Sequence, residues 1–200
     1  MIVVTAAAIL LAGWSTLIEP YRRQAAGLDR LSDLYPPSAS FATPSNSIED
    51  SWHRILIEFA VGEEAALKIR AIQIPGGTNE EDARFILSKM RFLSSVDVSE
   101  TNVSEDVARI LAGMPELTEL FAVRSNIGDA AIAELSRSDS IRTMRLTANP
   151  FGDESVVSLA GMQQLDEIFL RWTKITPDGF ETLRGELPDC AIWFQARAPH

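Results

Sequence analysis

Few residues of this chain could carry enzyme chemistry. Its 200 residues include one cysteine, Cys190, and two histidines, His53 and His200. A nucleophilic thiol needs an imidazole in contact with it, yet Cys190 and His53 fall near opposite ends of the folded body that the repeats predict. A single cysteine also forms no internal disulfide and no thiolate zinc site.

Acidic residues recur at positions where carboxylates could act as metal ligands or as a general acid and base. These residues are Glu105, Asp106, Asp129, Asp153, Glu154 and Asp178. Each stands where a predicted helix begins, and there a carboxylate interacts favourably with the positive end of the helix dipole. Gly76 and Gly77 lack the Lys-Ser/Thr pair and the third glycine of a phosphate-binding loop. We therefore predict a non-enzymatic protein with no catalytic residues, no metal site and no cofactor.

The composition is that of a globular protein with an acidic surface. Apolar residues make up 46% of the chain and charged residues 23%, which argues against wholesale disorder. The formal net charge is -10, from 18 basic and 28 acidic residues. A nucleic-acid-binding protein needs a basic surface to replace phosphate counterions, so we expect no nucleic acid as a partner.

The apolar residues repeat with a period of 24 residues, and this period predicts the fold. Five segments open with apolar-x-x-apolar-x-apolar and read IRAIQI, LSSVDV, LTELFA, IRTMRL and LDEIFL. They begin, without insertion or deletion, at Ile69, Leu93, Leu117, Ile141 and Leu165, and a partial sixth copy, DCAIWF, begins at Asp189. A leucine follows in every repeat, namely Leu87, Leu111, Leu135, Leu159 and Leu183. The eleventh position of each repeat, counted from its opening residue, is also apolar in every repeat except the first, which has Asn79.

These residues resemble the consensus of leucine-rich repeat proteins. The pattern L-x-x-L-x-L-x-x-[NTS]-x-L is explicit in LSSVDVSETNV, LTELFAVRSNI, IRTMRLTANPF and LDEIFLRWTKI. The ending ITPDGFETLRGELPDCAI is similar to the last repeat of the 24-residue class with helices. The resemblance covers about residues 48–198. It implies an α/β fold, a right-handed leucine-rich repeat solenoid of about five repeats, with parallel strands on the concave face and helices on the convex face. Bacterial proteins of this class often join an N-terminal membrane segment to a short repeat body.

Each repeat is expected to form a short strand, a turn and a helix. Four repeats carry a short polar residue at the ninth position, where it can bond the backbone of the neighbouring loop: Thr101, Ser125, Asn149 and Thr173. Three glycines suit helix C-caps: Gly113, Gly161 and Gly185. The ends of the array need caps, which we assign to a helix around Trp52 and to Ile192 with Phe194. Cys190 is expected as a small buried residue beside Ile192.

The first eighteen residues, MIVVTAAAILLAGWSTLI, contain no charge. As a helix they would cover about 27 Å, enough for a thin hydrocarbon core. We predict an uncleaved, single-pass membrane anchor, a transmembrane helix over residues 1–19; a cleaved signal peptide and a buried helix of a soluble protein are the alternatives. Arg22 and Arg23 on its distal side favour a cytoplasmic body over a periplasmic one.

The segment between the anchor and the repeats changes in character along its length. The stretch YPPSASFATPSNS has three prolines, four serines and no charge, as is typical of an extended linker. Ser47 and Asp50 then form an S-x-x-D capping box before an apolar helix face that includes Trp52. The predicted organisation is a transmembrane anchor at 1–19, a juxtamembrane helix and linker at 20–47, an N-terminal helical cap at 48–68 and leucine-rich repeats at 69–198.

The predicted strands place aromatic and arginine side chains side by side on the concave face. The fifth position of each repeat points out of that face, and its residues are Gln73, Asp97, Phe121, Arg145, Phe169 and Trp193. Because neighbouring strands lie about 4.8 Å apart, the last four form a row about 14 Å long. Exposed aromatic residues interleaved with arginine are typical of protein interfaces. Alternatively, the arginines stack on the rings and shield them without any partner.

Two functions are compatible with these patterns. The first is a membrane-anchored leucine-rich repeat module, expected to be a monomer, that binds a protein or peptide partner through its concave face. Its predicted partner-binding residues are Phe121, Arg124, Arg145, Phe169, Arg171, Trp172 and Trp193. The second is a structural or docking solenoid of an envelope or signalling assembly with no concave ligand. The first function predicts an apolar and charged patch on the concave face. The second predicts a concave face without such a patch and an apolar interaction surface on the convex face or at one end of the array.

Overall fold

The computed structural model describes Ala26, Gly27, Arg30 and residues 70–196. Ala26, Gly27 and Arg30 are helical and fall in the expected juxtamembrane segment. The predicted anchor, the linker, the helical cap and the rest of the juxtamembrane segment lie outside the described residues. Among the residues that the structure does describe, no helix is long and apolar enough to cross a membrane. The chain divides into two compact units, Met1–Ile69 with Ser88–Arg91, and Arg70–Leu87 with Phe92–His200. The repeats form the second unit.

Six short strands form one parallel sheet in the order of the chain. They are β1 (Ala71–Gln73), β2 (Ser95–Asp97), β3 (Glu119–Phe121), β4 (Thr143–Arg145), β5 (Glu167–Arg171) and β6 (Ala191–Gln195). Equivalent residues of successive repeats are paired, as in Ala71 with Ser95 and Thr143 with Glu167. A step of 24 residues along the chain is therefore a step of one strand across the sheet. The predicted parallel sheet is confirmed.

A helix lies between each pair of successive strands. The helices are α1 (Glu80–Lys89), α2 (Glu105–Ala112), α3 (Asp129–Leu135), α4 (Val156–Ala160) and α5 (Pro177–Glu186), and a 3₁₀ turn at Asp153–Ser155 leads into α4. Parallel neighbours need such crossover connections, which cover one face of the sheet. The predicted alternation of strand and helix is confirmed, while the right-handed winding stays a prediction.

The core follows the apolar period. The middle residues of the inner strands, such as Val96, Leu120 and Met144, have no solvent exposure. The recurrent helix leucines Leu87, Leu111, Leu135, Leu159 and Leu183 are also completely buried, as predicted. Replacing such a leucine with alanine in a well-packed core typically costs about 2–5 kcal/mol. The repeated apolar positions therefore hold strands and helices together along the whole array.

The glycine caps are confirmed at two of three positions. Gly113 and Gly161 are the C-caps of α2 and α4. The prediction for Gly185 is wrong, because α5 continues to Glu186 and is capped by Leu187, whose N–H donates to the Leu183 carbonyl. Leu187 is buried, so the helix extends until it occupies that core position. Pro188 then disfavours any further helical residue before it.

Asn149 joins two repeats through its side-chain amide. Its Nδ2 donates to the carbonyls of Ala122 at 2.7 Å and Leu146 at 2.8 Å. Its Oδ1 accepts from the backbone N–H groups of Ser125 at 2.9 Å and Ile127 at 3.1 Å. The predicted bond from the ninth position to the neighbouring loop is confirmed here, and its four partners are backbone groups that would otherwise be buried without a hydrogen bond.

The hydroxyl groups of the other ninth-position residues differ in which repeat they bond to. Ser125 Oγ donates to the carbonyl of Val98 in the preceding repeat at 2.8 Å. Thr101 and Thr173 instead donate to carbonyls of their own repeats, three residues earlier, at 2.6 and 3.0 Å. For these two threonines the predicted bond to the neighbouring loop is wrong, because the hydroxyl is taken by its own turn.

Two of the acidic residues at helix starts, Asp129 and Asp153, bind the next repeat through their carboxylates. Asp129 Oδ1 accepts from the backbone N–H of Gly152 at 2.9 Å and from Ser155 Oγ at 2.6 Å. The Asp153 carboxylate likewise accepts from the backbone N–H and the hydroxyl of Thr176, both at 2.8 Å. These two carboxylates are structural links between successive repeats.

Candidate partner-binding surface

Four side chains of the predicted site lie in one row across the sheet. Strand pairing aligns Phe121 with Arg145, Arg145 with Phe169, and Phe169 with Trp193. Their strand neighbours Leu120, Met144 and Ile168 are buried, so the row lies on the face that points away from the helices. We call these four residues the stripe.

Arg145 is held between two aromatic rings. Its Cζ atom lies 5.1 Å from the ring centroid of Phe121 and 4.9 Å from that of Phe169. The Phe169 ring in turn stacks on Trp193, with centroids 5.8 Å apart and planes 9° from parallel. Each cation–π contact at an exposed site contributes about 0.5–1 kcal/mol. The stripe is therefore a continuous stack of ring, guanidinium, ring and ring.

The indole of Trp193 is oriented by a carboxylate. Its Nε1 donates to Glu167 Oε1 at 2.9 Å. The hydrogen bond leaves the Trp193 residue 54% exposed. The tryptophan is thus held in one orientation while much of its surface faces solvent, which lowers the entropy cost of using it as a contact.

Arg171 and Trp172 extend the stripe at the end of β5. The Cζ atom of Arg171 lies 5.5 Å from the centroid of the Trp172 ring. Arg171 also donates through Nε and Nη2 to the Oε1 atom of Gln195, at 3.1 and 2.7 Å. Trp172 remains 48% exposed. The arginine stacking that the alternative interpretation expects is present, yet both tryptophans keep about half of their surface accessible.

Arg124 differs from the other predicted residues because its charge has a partner. Its guanidinium forms a salt bridge with the carboxylate of Glu100, one repeat earlier. Both side chains are more than half exposed, so the pair contributes little to stability. Arg124 is available to a partner only in competition with Glu100.

The backbone at the eighth position directs these flanking side chains. Glu100, Arg124, Ala148 and Trp172 have φ angles between 54° and 61°, in the left-handed region. Residues other than glycine, asparagine and aspartate are uncommon there. None of these four positions carries a glycine, so the sequence gives no signal of the left-handed conformation. It turns the chain sharply after each strand and sets where Arg124 and Trp172 project.

The opposite half of this sheet face has a different composition. The corresponding rows on β1 and β2 carry Gln73 and Asp97, and Ser99 and Glu100 follow β2. These polar side chains are readily solvated, whereas exposed aromatic groups are not. The exposed aromatic residues of this face therefore lie on the half formed by β3, β5 and β6.

Cys190 is the one thiol of the chain, and the structure places it just before strand β6. Cys190 is half-buried rather than buried, since it precedes β6, the last strand in the sheet of described residues. Desolvation, and then the charges of Asp166 and Glu167, raise the pKa of its thiol to about 11. His53 lies outside the described residues. Within residues 70–196, no group of histidine, cysteine and acidic side chains is placed to hold a metal ion.

The parallel sheet, its 24-residue register and the buried consensus positions together give the chain a leucine-rich repeat architecture. No protein-family model matches the sequence, and no curated protein matches it.

Three solved leucine-rich repeat structures are similar to the chain at low identity. An internalin (inlF) of Listeria monocytogenes is 19% identical, with a TM-score of 0.43 over 57% of this chain and 31% of that one. An internalin C2 of the same species is 19% identical, with a TM-score of 0.45 over 66% and 54%. A leucine-rich repeat protein of Leptospira interrogans is 17% identical, with a TM-score of 0.43 over 65% and 32%. The chain thus spans less than two thirds of the length of each structure, and the fold assignment rests on its own geometry.

Proposed function

We propose that this chain is a membrane-tethered, non-enzymatic interaction module that binds a protein or peptide partner through the stripe and its neighbours Arg171 and Trp172. The sheet face that carries them is the one expected to be concave. The N-terminal segment over residues 1–18 would hold the module at a membrane, and the proline- and serine-rich linker would let the repeats reach a partner.

The observation that carries this proposal is the continuous stack of Phe121, Arg145, Phe169 and Trp193 on an exposed sheet face. A partly exposed row of aromatic residues costs solvation free energy unless a partner covers it. Aromatic residues and arginine are also the types enriched where interfaces carry most of their binding energy. The rest of the chain is acidic, with a net charge of -10, so the stripe is distinct in both shape and charge.

The test compares two variants of the full chain in detergent-solubilised membranes. In Phe169→Ser/Trp172→Ser the stripe loses its central ring and its flanking tryptophan. In Val157→Ser an apolar residue on helix α4 that is 81% exposed is removed instead. We expect the double variant to lose the proteins that copurify with the wild type, and the Val157 variant to keep them. The free energy of unfolding, measured by thermal denaturation, should change by no more than about 1–2 kcal/mol in either variant.

Two outcomes would contradict partner binding at the stripe. If the double variant kept every copurifying protein, the rings would be a shielded part of the surface and not a site. If it unfolded, Phe169 and Trp172 would be structural residues. Circular dichroism of the double variant separates these two cases, because only the second lacks the folded signal.

Membrane tethering has its own test. The full chain should remain in the pellet after alkaline extraction and ultracentrifugation, and a chain starting at Gln24 should move to the supernatant, because the uncharged segment is the part that partitions into hydrocarbon. A full chain found in the supernatant would contradict the anchor. A mature N-terminus between Ser15 and Arg23, found by mass spectrometry, would support the signal peptide instead.

A docking role without a ligand on the sheet face is supported by the last strand. Among the described strands, β6 pairs with β5 alone, and its inward residues Ile192 and Phe194 are only half-buried. Phe194 stacks on Phe180 of α5, with ring centroids 4.7 Å apart. An open apolar strand edge is a surface that other chains can pair with. Loss of copurifying proteins in Ile192→Ser, with the double variant unaffected, would favour this second function.

A further inference from the structure

Arg145 is stacked but not paired. In the part of the chain that the structure describes, no carboxylate lies within salt-bridge distance of its guanidinium, whereas Arg109, Arg124 and Arg137 all have acidic partners. The guanidinium carbon of Arg145 lies over the rings of both Phe121 and Phe169, which come from the strands on either side of β4. Stacking of this kind leaves the N–H groups at the rim of the plane free to donate, and it fixes the plane in one orientation.

We infer that Arg145, with Arg171 on the neighbouring strand, recognises an aspartate or glutamate side chain of an extended peptide segment of the partner. This inference rests on the proposed function and names the chemistry of the partner at the same site. A planar guanidinium binds a carboxylate through two parallel N–H···O bonds, and such charge-assisted pairs are about twice as strong as neutral hydrogen bonds. Because Arg145 is already immobilised, less side-chain entropy is lost when the pair forms.

The neighbouring rings add a second requirement to the peptide. Phe169 and Trp193 lie one and two strands from Arg145, so the middle of their stack is about 7 Å away at a strand spacing of 4.8 Å. Side chains two residues apart on one face of an extended peptide are separated by nearly the same distance, about 6.8 Å. The acidic residue that meets Arg145 should therefore be followed or preceded, two residues away, by an apolar or aromatic residue that covers Phe169 and Trp193.

The surroundings favour one carboxylate over a polyanion. Glu119 and Glu167 precede the stripe on β3 and β5, on the same sheet face, and Asp97 extends the row on β2. Nucleic acid carries a negative charge on every nucleotide, so its flanking phosphates would be repelled by these side chains. A peptide with one acidic residue places its charge between Arg145 and Arg171 and its apolar residue on the rings.

The test uses a random seven-residue peptide display library, selected on the full chain in detergent. For the wild type we expect enrichment of aspartate or glutamate two positions from an aromatic or large apolar residue. Arg145→Gln and Arg171→Gln should lose the acidic preference and keep the apolar one. Arg145→Lys should lose most of the acidic preference, because an ammonium group cannot make the bidentate pair. Arg137→Gln, which removes one charge from an exposed arginine bound to Glu134 just after α3, should select the wild-type peptides.

The selected peptide then provides an affinity measurement. Changing its acidic residue to glutamine should weaken binding to the wild type by about tenfold or more, and should weaken binding to Arg145→Gln by much less. Equal losses in the two proteins would mean that the acid meets another residue, and would overturn the inference.

The remaining outcomes separate the inference from the proposed function. If the wild type selects no peptides, this inference fails, and the copurification experiment with Phe169→Ser/Trp172→Ser decides whether the proposed function fails with it. If it selects apolar peptides with no acid, or if the acidic preference survives in Arg145→Gln, only the inference fails. Stronger binding of a twelve-residue oligothymidylate than of the selected peptide would overturn both the inference and the exclusion of nucleic acid.

Discussion

At the scale of single residues, the amide of Asn149 makes more structural contacts than any other ninth-position side chain of the described repeats. It satisfies two carbonyls and two N–H groups of two successive repeats, all near the middle of the sheet. Leaving such buried backbone groups unpaired costs about 1–3 kcal/mol each, reduced where the loop can relax. The hydroxyl of Thr173, the equivalent residue of the following repeat, donates one hydrogen bond of 3.0 Å to the Leu170 carbonyl of its own turn.

Asn149→Ala should therefore destabilise the folded chain far more than the matched change Thr173→Val. We expect a loss of about 2–4 kcal/mol for the first and about 1 kcal/mol for the second. Urea unfolding followed by circular dichroism measures both. Equal losses would show that the inter-repeat bonds of Asn149 add nothing to those within one turn.

Cys190 should be an unreactive thiol. Its pKa is raised to about 11 by desolvation and by Asp166 and Glu167, so the reactive thiolate is rare at pH 8. Alkylation by iodoacetamide at pH 8 should be roughly ten- to hundredfold slower than that of a free cysteine peptide, and it should accelerate as the pH approaches 11. In Asp166→Asn the rate at pH 8 should rise, since one of the charges opposing the thiolate is removed. A rate equal to that of the peptide would contradict the raised pKa.

At the scale of elements, helix α5 contains two glycines with opposite surroundings. Gly179 is buried in the first turn, where a Cβ atom would overlap Oδ1 of Asp153, the carboxylate that binds Thr176. Gly185 lies in the last turn, and nothing is within 4 Å of the position that its Cβ would occupy. Replacing glycine with alanine should therefore change the stability of the chain in opposite directions at the two positions.

Gly179→Ala should destabilise the chain by about 1–3 kcal/mol, because the methyl group displaces the Asp153 carboxylate and loosens the contact between the fourth and fifth repeats. Gly185→Ala should stabilise it by about 0.5–1 kcal/mol, because alanine loses less backbone entropy in a helix. Thermal denaturation of the two variants beside the wild type measures the difference. A destabilising Gly185→Ala would mean that the helix end is strained in a way the surrounding atoms do not suggest.

At the scale of the whole molecule, the constant register makes the repeats interchangeable. Each strand pairs with the equivalent residues of the next repeat, without a shift anywhere in the sheet. Stability in such arrays is approximately a sum over repeats and the interfaces between neighbours. Removing one complete repeat should therefore preserve the pattern of pairing.

A chain lacking residues 117–140 should fold, with β2 paired to β4 and Val96 beside Met144. Its urea unfolding should stay cooperative, with an m-value lower by roughly one sixth, since m follows the surface exposed on unfolding. A chain lacking residues 117–128 is the control, because this half-repeat deletion removes β3 and leaves helix α3 without its strand. The register argument is wrong if both deletions fold, or if neither does.

The amino-acid sequence alone determined the architecture of this protein. Its apolar residues recur every 24 positions, and burial of those residues between neighbouring repeats accounts for the parallel sheet, the strand order, the core leucines and the row of Phe121, Arg145, Phe169 and Trp193. Such features were predictable because the same local pattern is repeated and each copy can bury its apolar edge only against the next. Asn79, the one polar exception to the template, proved to accept a hydrogen bond from the backbone of Asp82 at the start of α1.

Only the tertiary structure decided how individual side chains are used within that frame. It placed Arg145 between two rings, gave Arg124 an acidic partner, extended α5 past Gly185, and set left-handed backbone at Ala148 and Trp172. These outcomes depend on the backbone conformation of each turn and on which of several nearby polar groups bonds to a given side chain. Several conformations of similar local energy compete for each of them, and contacts 24 residues away choose among these conformations.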